Sequence, residues 1–159
     1  MKNQFYLFLL IACSCLPLKA QQCNVINNSD IMVPLGQKVE NKTLTSIWQS
    51  CDVKQGEHGY EIVLMSTLKV LTSDGTFMNL IVGSKRGLPR LLAQGKYEKT
   101  SDKTYVEMIE KSILSPFTKG TKNEITFEFL SDNLMKLSFI VPGKEKMWSE
   151  FWYRASFLE

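Results

Sequence analysis

The chain has 159 residues, with 19 Lys and Arg against 16 Asp and Glu, and a formal net charge of +3. This length fits one domain with a single core, and so small a charge excludes a general nucleic-acid-binding surface, which needs a dense basic footprint. A single histidine, His58, and the two distant cysteines Cys23 and Cys51 do not make a zinc ligand set, so we expect no metal and no cofactor.

Residues 1–20 have the order of a secretory signal peptide. Lys2 gives a positive start, residues 5–18 are mostly apolar, and Ala20 is a small residue before the polar Gln21. The stretch is too short for a membrane span. We therefore predict cleavage after Ala20 and export to the periplasm or the exterior, as a monomer without a transmembrane segment.

The four cysteines bear on anchoring and on a disulfide. Residues 10–13 resemble a lipoprotein signal that would be lipidated at Cys13, but this alternative leaves an unusually short signal. Cleavage after Ala20 removes Cys13 and Cys15 and leaves Cys23 and Cys51. An even pair in an oxidising compartment predicts a disulfide between Cys23 and Cys51, with two free thiols as the alternative.

Residues 21–43 read as an irregular N-terminal arm, because they are rich in Asn and Gln and contain the breakers Pro34 and Gly36. From residue 44 to residue 159 the pattern is that of β-strands. In 123–130, for example, Ile125 and Phe127 alternate with Glu124, which is the period of a sheet with one wet face. Runs 60–72 and 76–83 are apolar on both faces, and a short helix within 107–116 is an alternative. The predicted strands are 44–50, 60–72, 76–83, 91–99, 104–110, 123–130, 134–141 and 148–156.

The connections between these strands alternate in length. Three are tight turns of similar sequence, at 73–75, 101–103 and 131–133, and between them lie longer loops at 51–59, 84–90, 111–122 and 142–147. In a meander, successive connections alternate between the two ends of the sheet. The sequence therefore predicts an all-β, eight-stranded, antiparallel up-and-down barrel, tight at one end and open at the other, with an open β-sandwich as the alternative.

Short and long connections in this order resemble the lipocalins and the fatty-acid-binding barrels. Lipocalins begin their first strand with Gly-x-Trp, and this chain has Ser46-Ile47-Trp48, with Ser46 in place of the Gly. The last predicted strand contains Trp152-Tyr153-Arg154. The resemblance implies that Trp48 plugs the tight-turn end and that Arg154 covers it in a cation–π contact.

The chain is also similar to an uncharacterised, secreted, lipocalin-like (calycin-type) family of unknown function from gut Gram-negative bacteria. This resemblance implies the fold and export but no activity. The motifs that carry it, in chain order, are Trp48-Gln49, residues 74–80, residues 95–97, residues 105–109 and Trp152 to Arg154.

Glu107 is the most informative polar residue of the predicted strands, because Tyr105, Glu107 and Ile109 share one face. If that face is inward, the carboxylate needs a partner, and Arg154 and the hydroxyls of Tyr97 and Tyr105 are the candidates. Glu107 then either anchors a ligand or forms a structural ion pair, and the aromatic residues either contact the ligand or form the core. The candidate ligand-binding residues are Tyr97, Tyr105, Glu107, Phe127, Phe129, Leu137, Phe139 and Trp152.

The predicted function is that of a non-enzymatic, exported binding protein for a small hydrophobic or amphipathic ligand. No nucleophile elbow, phosphate loop or metal motif is present, and no catalytic residue is assigned. The alternative is an interaction or inhibitor protein whose loops grip a partner protein while the barrel core is filled. Because the long loops are basic, we expect an anionic ligand. The basic residues assigned to the mouth are Lys85, Arg86, Arg90, Lys119, Lys122 and Lys144.

Overall fold

The computed structural model describes residues 31–83 and 88–155, which form nine β-strands and no helix. Within these ranges no helix is long and apolar enough to cross a membrane. The short helix considered within 107–116 is therefore wrong, because residues 104–112 form a strand. The strands are β1 (Ile31–Pro34), β2 (Ser46–Gln55), β3 (Gly59–Leu71), β4 (Thr76–Ile81), β5 (Arg90–Lys99), β6 (Thr104–Ser112), β7 (Lys122–Phe129), β8 (Leu134–Ile140) and β9 (Met147–Arg154).

Strands β2 to β9 form a closed antiparallel barrel. Each pairs with the next along the chain, and β9 returns to pair with β2 through Trp48↔Arg154 and Cys51↔Phe151. The predicted eight-stranded, up-and-down, lipocalin-like architecture is confirmed, and the open β-sandwich is excluded. Closure pairs the two edge strands of the meander with each other, and it places the apolar face of the sheet inside the barrel.

Side-chain alternation determines which residues enter the barrel. In β7, Asn123, Ile125 and Phe127 are buried, whereas Glu124 and Thr126 are exposed. The runs that were ambiguous from the sequence are now assigned: Lys69 and Leu71 of β3 and Phe77 of β4 are buried. The interior is thus supplied by alternate residues of all eight barrel strands.

The tight-turn end is capped as the sequence predicts. Ser131 Oγ accepts the backbone N–H groups of Asn133 and Leu134, and Gly75 takes a positive φ of 76°. No residue other than glycine has a positive φ in the described ranges, so Asn133 turns the chain without the left-handed conformation expected of it. Side-chain capping by serine is therefore enough for the third turn.

The structure departs from the sequence prediction mainly in the two segments that flank the first half of β2. Residues 31–34, assigned to the irregular arm, form β1 and pair with Gly59–Ile62 of β3. The loop expected at 51–59 is mostly strand, because β2 runs to Gln55 and a tight turn at 56–58 leads into β3. Gly59 permits the close approach of β1, since a Cβ on it would lie 2.4 Å from the carbonyl oxygen of Val33.

The predicted disulfide is not found. Cys51 is a free, buried cysteine in a second, smaller cluster with Val33, Ile62 and Leu134, while Cys23 lies outside the described residues. Burial raises the pKa of the Cys51 thiol to about 12, with the nearby Asp52 carboxylate adding to the effect. The signal peptide and residues 21–30 of the arm also lie outside the described residues, so the predictions for them stand untested.

Candidate ligand site

The half of the barrel next to the tight turns is filled. The Arg154 guanidinium carbon lies 4.2 Å from the Trp48 ring centroid, which is the contact expected from the lipocalin resemblance. Arg154 Nε donates to the Asp132 carbonyl oxygen, and Trp48 Nε1 donates to that of Leu44. These contacts plug the end of the barrel with one cation–π pair and bonded polar groups.

Four of the predicted ligand-binding residues belong to this filled half. Tyr97 and Tyr105 have ring centroids 6.0 Å apart, and Phe127 packs against Tyr105 and Phe129. They form aromatic core, and Phe127 and Phe129 also border an outer depression next to the arm. None of the four lines the cavity described next.

The other half of the barrel encloses a cavity of about 250 Å³. This is slightly below the range of about 300–1,000 Å³ usual for ligand pockets, so it suits a small molecule or one end of a longer molecule. Of the predicted ligand-binding residues, Glu107, Leu137, Phe139 and Trp152 line the cavity. The remaining lining residues are Thr67, Lys69, Asn79, Leu92, Ala93, Ile109, Leu114, Phe117, Asn123, Ile125 and Glu150.

A buried ion pair lies in the cavity wall. Lys69 Nζ is 2.5 Å from Glu107 Oε1, and each residue is only 3% exposed. The Tyr105 hydroxyl donates to the same carboxylate oxygen at 3.4 Å. Glu107 thus faces inward, and its cationic partner is Lys69 and not the candidate Arg154, which covers Trp48 at the opposite end.

Two further polar groups beside this pair have few partners. Burial raises the pKa of Glu150 above its ordinary value, while Lys69 and a 3.2 Å hydrogen bond from Trp152 Nε1 oppose the rise. Asn79 Oδ1 is buried with no hydrogen-bond partner in the structure. A buried polar atom left without a partner is costly, so a ligand that donates to it would gain binding energy.

Sequence reasoning missed Lys69, Asn79 and Glu150. Lys69 is a single lysine within the apolar run 68–71, but that run is apolar on both faces, so the sequence did not indicate that Lys69 faces inward. Glu150 shares the period-two face of Trp152, so the inward position of Trp152 also implied that of Glu150. Asn79 had no such signal, because the run around it is apolar on both faces.

The barrel seam is incomplete beside the cavity. β2 and β9 pair only over residues 48–51 and 151–154, and a groove of about 370 Å³ lies where they separate. Thr67, Glu150 and Trp152 line both the groove and the cavity. The interior is thus bordered by solvent along the seam as well as at the loop end.

The basic residues predicted for the mouth lie at the loop end where the structure describes them. Arg90 and Lys122 begin β5 and β7, and Lys119 and Lys144 stand in the connections before β7 and β9. All four are exposed. Lys85 and Arg86 lie outside the described residues. The mouth is framed by three long connections, not the four predicted, because the connection from β2 to β3 is a tight turn.

Fold and cavity together define a closed antiparallel barrel with one filled half and one hollow half. The chain belongs to the family described as Domain of unknown function (DUF4488), whose model matches residues 43–159. No curated protein matches the chain. In the described ranges, no group of three or more His, Cys, Asp or Glu side chains is placed to hold a metal ion.

Proposed function

We propose that this chain is an exported, non-enzymatic protein that binds a small hydrophobic or amphipathic molecule inside its barrel. The observation that supports it is the cavity itself, with apolar walls and the polar groups of Lys69, Glu107 and Glu150 gathered on one side. A mostly apolar pocket with a few convergent polar groups is the usual form of a small-molecule site.

The cavity also bears on the alternative of a partner-binding protein with a filled barrel. Only the half near the tight turns is filled, and the other half contains open space lined by Ala93, Ile109 and Phe139. This open space favours a ligand-binding barrel over one with a solid core. Exposed apolar side chains at the loop end are a separate feature and do not require a filled core.

Native mass spectrometry of the purified, full-length exported protein tests the proposal. We expect a complex that releases one small molecule on collisional activation. Ala93→Leu places a larger side chain in the cavity and should abolish this adduct, whereas Met108→Leu, on the outer face of β6, should retain it. If the protein carries no adduct and fails to bind a series of fatty acids, alcohols and amines, the proposal is wrong.

The charge of the ligand is proposed from the rim, not from the interior. The cavity holds one ammonium and two carboxylates, so an anionic group is disfavoured beside Glu107 and Glu150. We propose that the ligand places its apolar body inside and an anionic group near Lys119, Lys122 and Lys144. Fixed basic charge there raises the on-rate and local concentration of anions, and salt screens it.

A matched set of probes tests this orientation. We expect a fatty acid to bind more tightly than the alcohol or amine of equal chain length at low salt, with the difference shrinking at high salt. Glu150→Gln should leave the preference unchanged, whereas Lys122→Glu with Lys144→Glu should remove it. Equal affinity for acid and alcohol at both salt concentrations would contradict the assignment of the anionic group to the rim.

A further inference from the structure

Exposed apolar side chains are concentrated at one end of the molecule. We define the open rim as residues 82–83, 88–91, 113–122 and 140–148, which are the described parts of the three long connections and the strand ends beside them. Of the thirteen exposed large hydrophobic residues in the described chain, eight lie in the open rim. They are Val82, Leu88, Leu91, Ile113, Leu114, Ile140, Met147 and Trp148.

The most exposed of these side chains lie on different elements, with Leu88, at 65%, before β5. Ile113 is 64% exposed after β6, and Trp148 is 55% exposed near the start of β9. An exposed tryptophan and isoleucine on separate elements are not explained by packing within the monomer. Several exposed large apolar side chains at one end of a protein often mark contact with a protein or a lipid surface.

Basic residues are interleaved with this apolar surface. The open rim contains Arg90, Lys119, Lys122, Lys144 and Lys146, and its only acidic residue is Glu145. All of these charged side chains are exposed. The open rim therefore combines apolar contact area with a net positive charge on the same face.

The tight turns at the opposite end of the barrel have neither property. These turns, 72–75, 100–103 and 130–133, contain no exposed large hydrophobic residue. Each turn carries an aspartate, Asp74, Asp102 or Asp132, and the three turns share a single basic residue, Lys103. The long connections and the tight turns thus differ in both polarity and charge, which general solubility does not require.

We propose that the open rim docks on a lipid bilayer whose surface is anionic. Apolar side chains such as Ile113 and Trp148 enter the interface between headgroups and acyl chains, while lysines lie against the phosphates. A bilayer takes up apolar side chains from separate loops without a matching surface, and its uniform negative charge suits five basic residues against one acid. These two observations favour a lipid surface over a partner protein.

Docking in this orientation turns the hollow half of the barrel toward the membrane. Leu114 and Phe117, from the connection between β6 and β7, line the cavity and lie within the open rim. The proposal does not depend on what the cavity binds, because the contact is made by exposed side chains. Docking can therefore hold even if the proposed ligand binding fails.

Vesicle binding by the exported full-length protein tests the proposal. We expect co-sedimentation with vesicles of phosphatidylcholine and phosphatidylglycerol at low salt, at least tenfold weaker binding to phosphatidylcholine alone, and loss at high salt. Trp148 is exposed while Trp48 and Trp152 are buried, so docking should shift the emission of Trp148 to shorter wavelength. Trp148→Phe should remove this shift.

Matched variants separate the open rim from the rest of the surface. Lys119→Glu with Lys144→Glu should weaken binding at least tenfold, whereas the same charge change at Lys42 and Lys103, near the tight turns, should have little effect. Ile113→Ser should weaken binding severalfold, with Met108→Ser on the outer barrel wall as its control.

Three results would overturn the proposal. One is the absence of sedimentation that depends on phosphatidylglycerol, with all proteins folded by circular dichroism. Another is equal loss of binding in the two double charge variants. The third is saturable binding of the open rim to another protein together with no binding to vesicles. That result would assign this surface to a protein partner instead.

Discussion

Lys69 and Glu107 form a buried ion pair, so replacing one residue of the pair should affect stability more than replacing both. Removing one partner leaves an uncompensated buried charge, whereas replacing both removes the need for compensation. We expect Lys69→Met to lower the free energy of unfolding by about 3–5 kcal/mol, and Lys69→Met with Glu107→Gln to recover much of that loss.

Urea denaturation at neutral pH measures these changes. The exposed pair Lys99 and Asp102, with 3.4 Å between Nζ and Oδ1, is the control. Lys99→Met should change stability by about 1 kcal/mol or less, because exposed pairs contribute little. A Lys69→Met protein as stable as the wild type would show that the buried pair is not coupled.

Glu150 gives a prediction for pH. Burial raises its pKa above the ordinary 4.5, although Lys69 and the hydrogen bond from Trp152 oppose the rise and Glu107 adds to it. The folded state therefore binds the Glu150 proton more tightly than the unfolded state does. The stability that results is fully present below the ordinary pKa and is lost as the pH rises through the pKa of the folded state.

Glu150→Gln removes this ionisation and tests the sign. We expect variant and wild type to have equal free energies of unfolding below the ordinary glutamate pKa, and the variant to be the more stable at neutral pH. Denaturant titrations across this pH range provide the comparison. A variant that becomes less stable relative to the wild type as pH rises would mean that Glu150 has a lowered pKa.

Single residues of the site were only partly predictable from the sequence. Glu107 could be placed on the same strand face as Tyr105 and Ile109, although the sequence did not show whether that face is inward. Lys69 could not, since 60–72 is apolar on both faces and its inward parity is set by pairing with β2 and β4. The pairing of Lys69 with Glu107 joins residues 38 positions apart, which local sequence does not encode.

At the scale of the element, the bulge between β5 and β6 is the most constrained backbone contact. A Cβ on Gly95 would lie 2.0 Å from the Met108 carbonyl oxygen, a distance that only backbone movement can relieve. We expect Gly95→Ala to lower the free energy of unfolding by about 3 kcal/mol or more.

Gly56→Ala is the matched control for this substitution. A Cβ on Gly56 would meet only the Gly59 carbonyl oxygen, at an ordinary 3.6 Å. Its effect on thermal or urea unfolding should stay within about 0.5 kcal/mol, as for most surface substitutions. Similar losses in the two variants would mean that the β5–β6 bulge adapts to a side chain.

The elements themselves were largely predictable, because each of the eight predicted strands overlaps one of the eight barrel strands. Two errors remain, and both have a tertiary cause. β1 is short, ends in Pro34 and forms only because Gly59 lets it approach β3. Residues 52–55, of which three are polar, extend β2 because β3 pairs with them.

At the scale of the whole molecule, the barrel is divided along its axis. The half near the tight turns has a plug of Trp48 and Arg154, an aromatic core and complete pairing between β2 and β9. The half near the open rim has a cavity, and its seam is unpaired beyond Cys51 and Phe151. Side chains that face a void lose packing contacts, so the two halves should differ in local stability.

Hydrogen exchange followed by mass spectrometry tests this division. We expect amides of β3, β8 and β9 near the tight turns to exchange only through global unfolding. Amides of the same strands near the open rim should exchange faster, through local opening at the seam. Comparing the two ends of one strand removes differences in solvent conditions. A ligand bound in the cavity should slow exchange in the hollow half alone, because it replaces contacts missing there. Uniform protection along each strand would show that the cavity and the seam do not weaken the barrel locally.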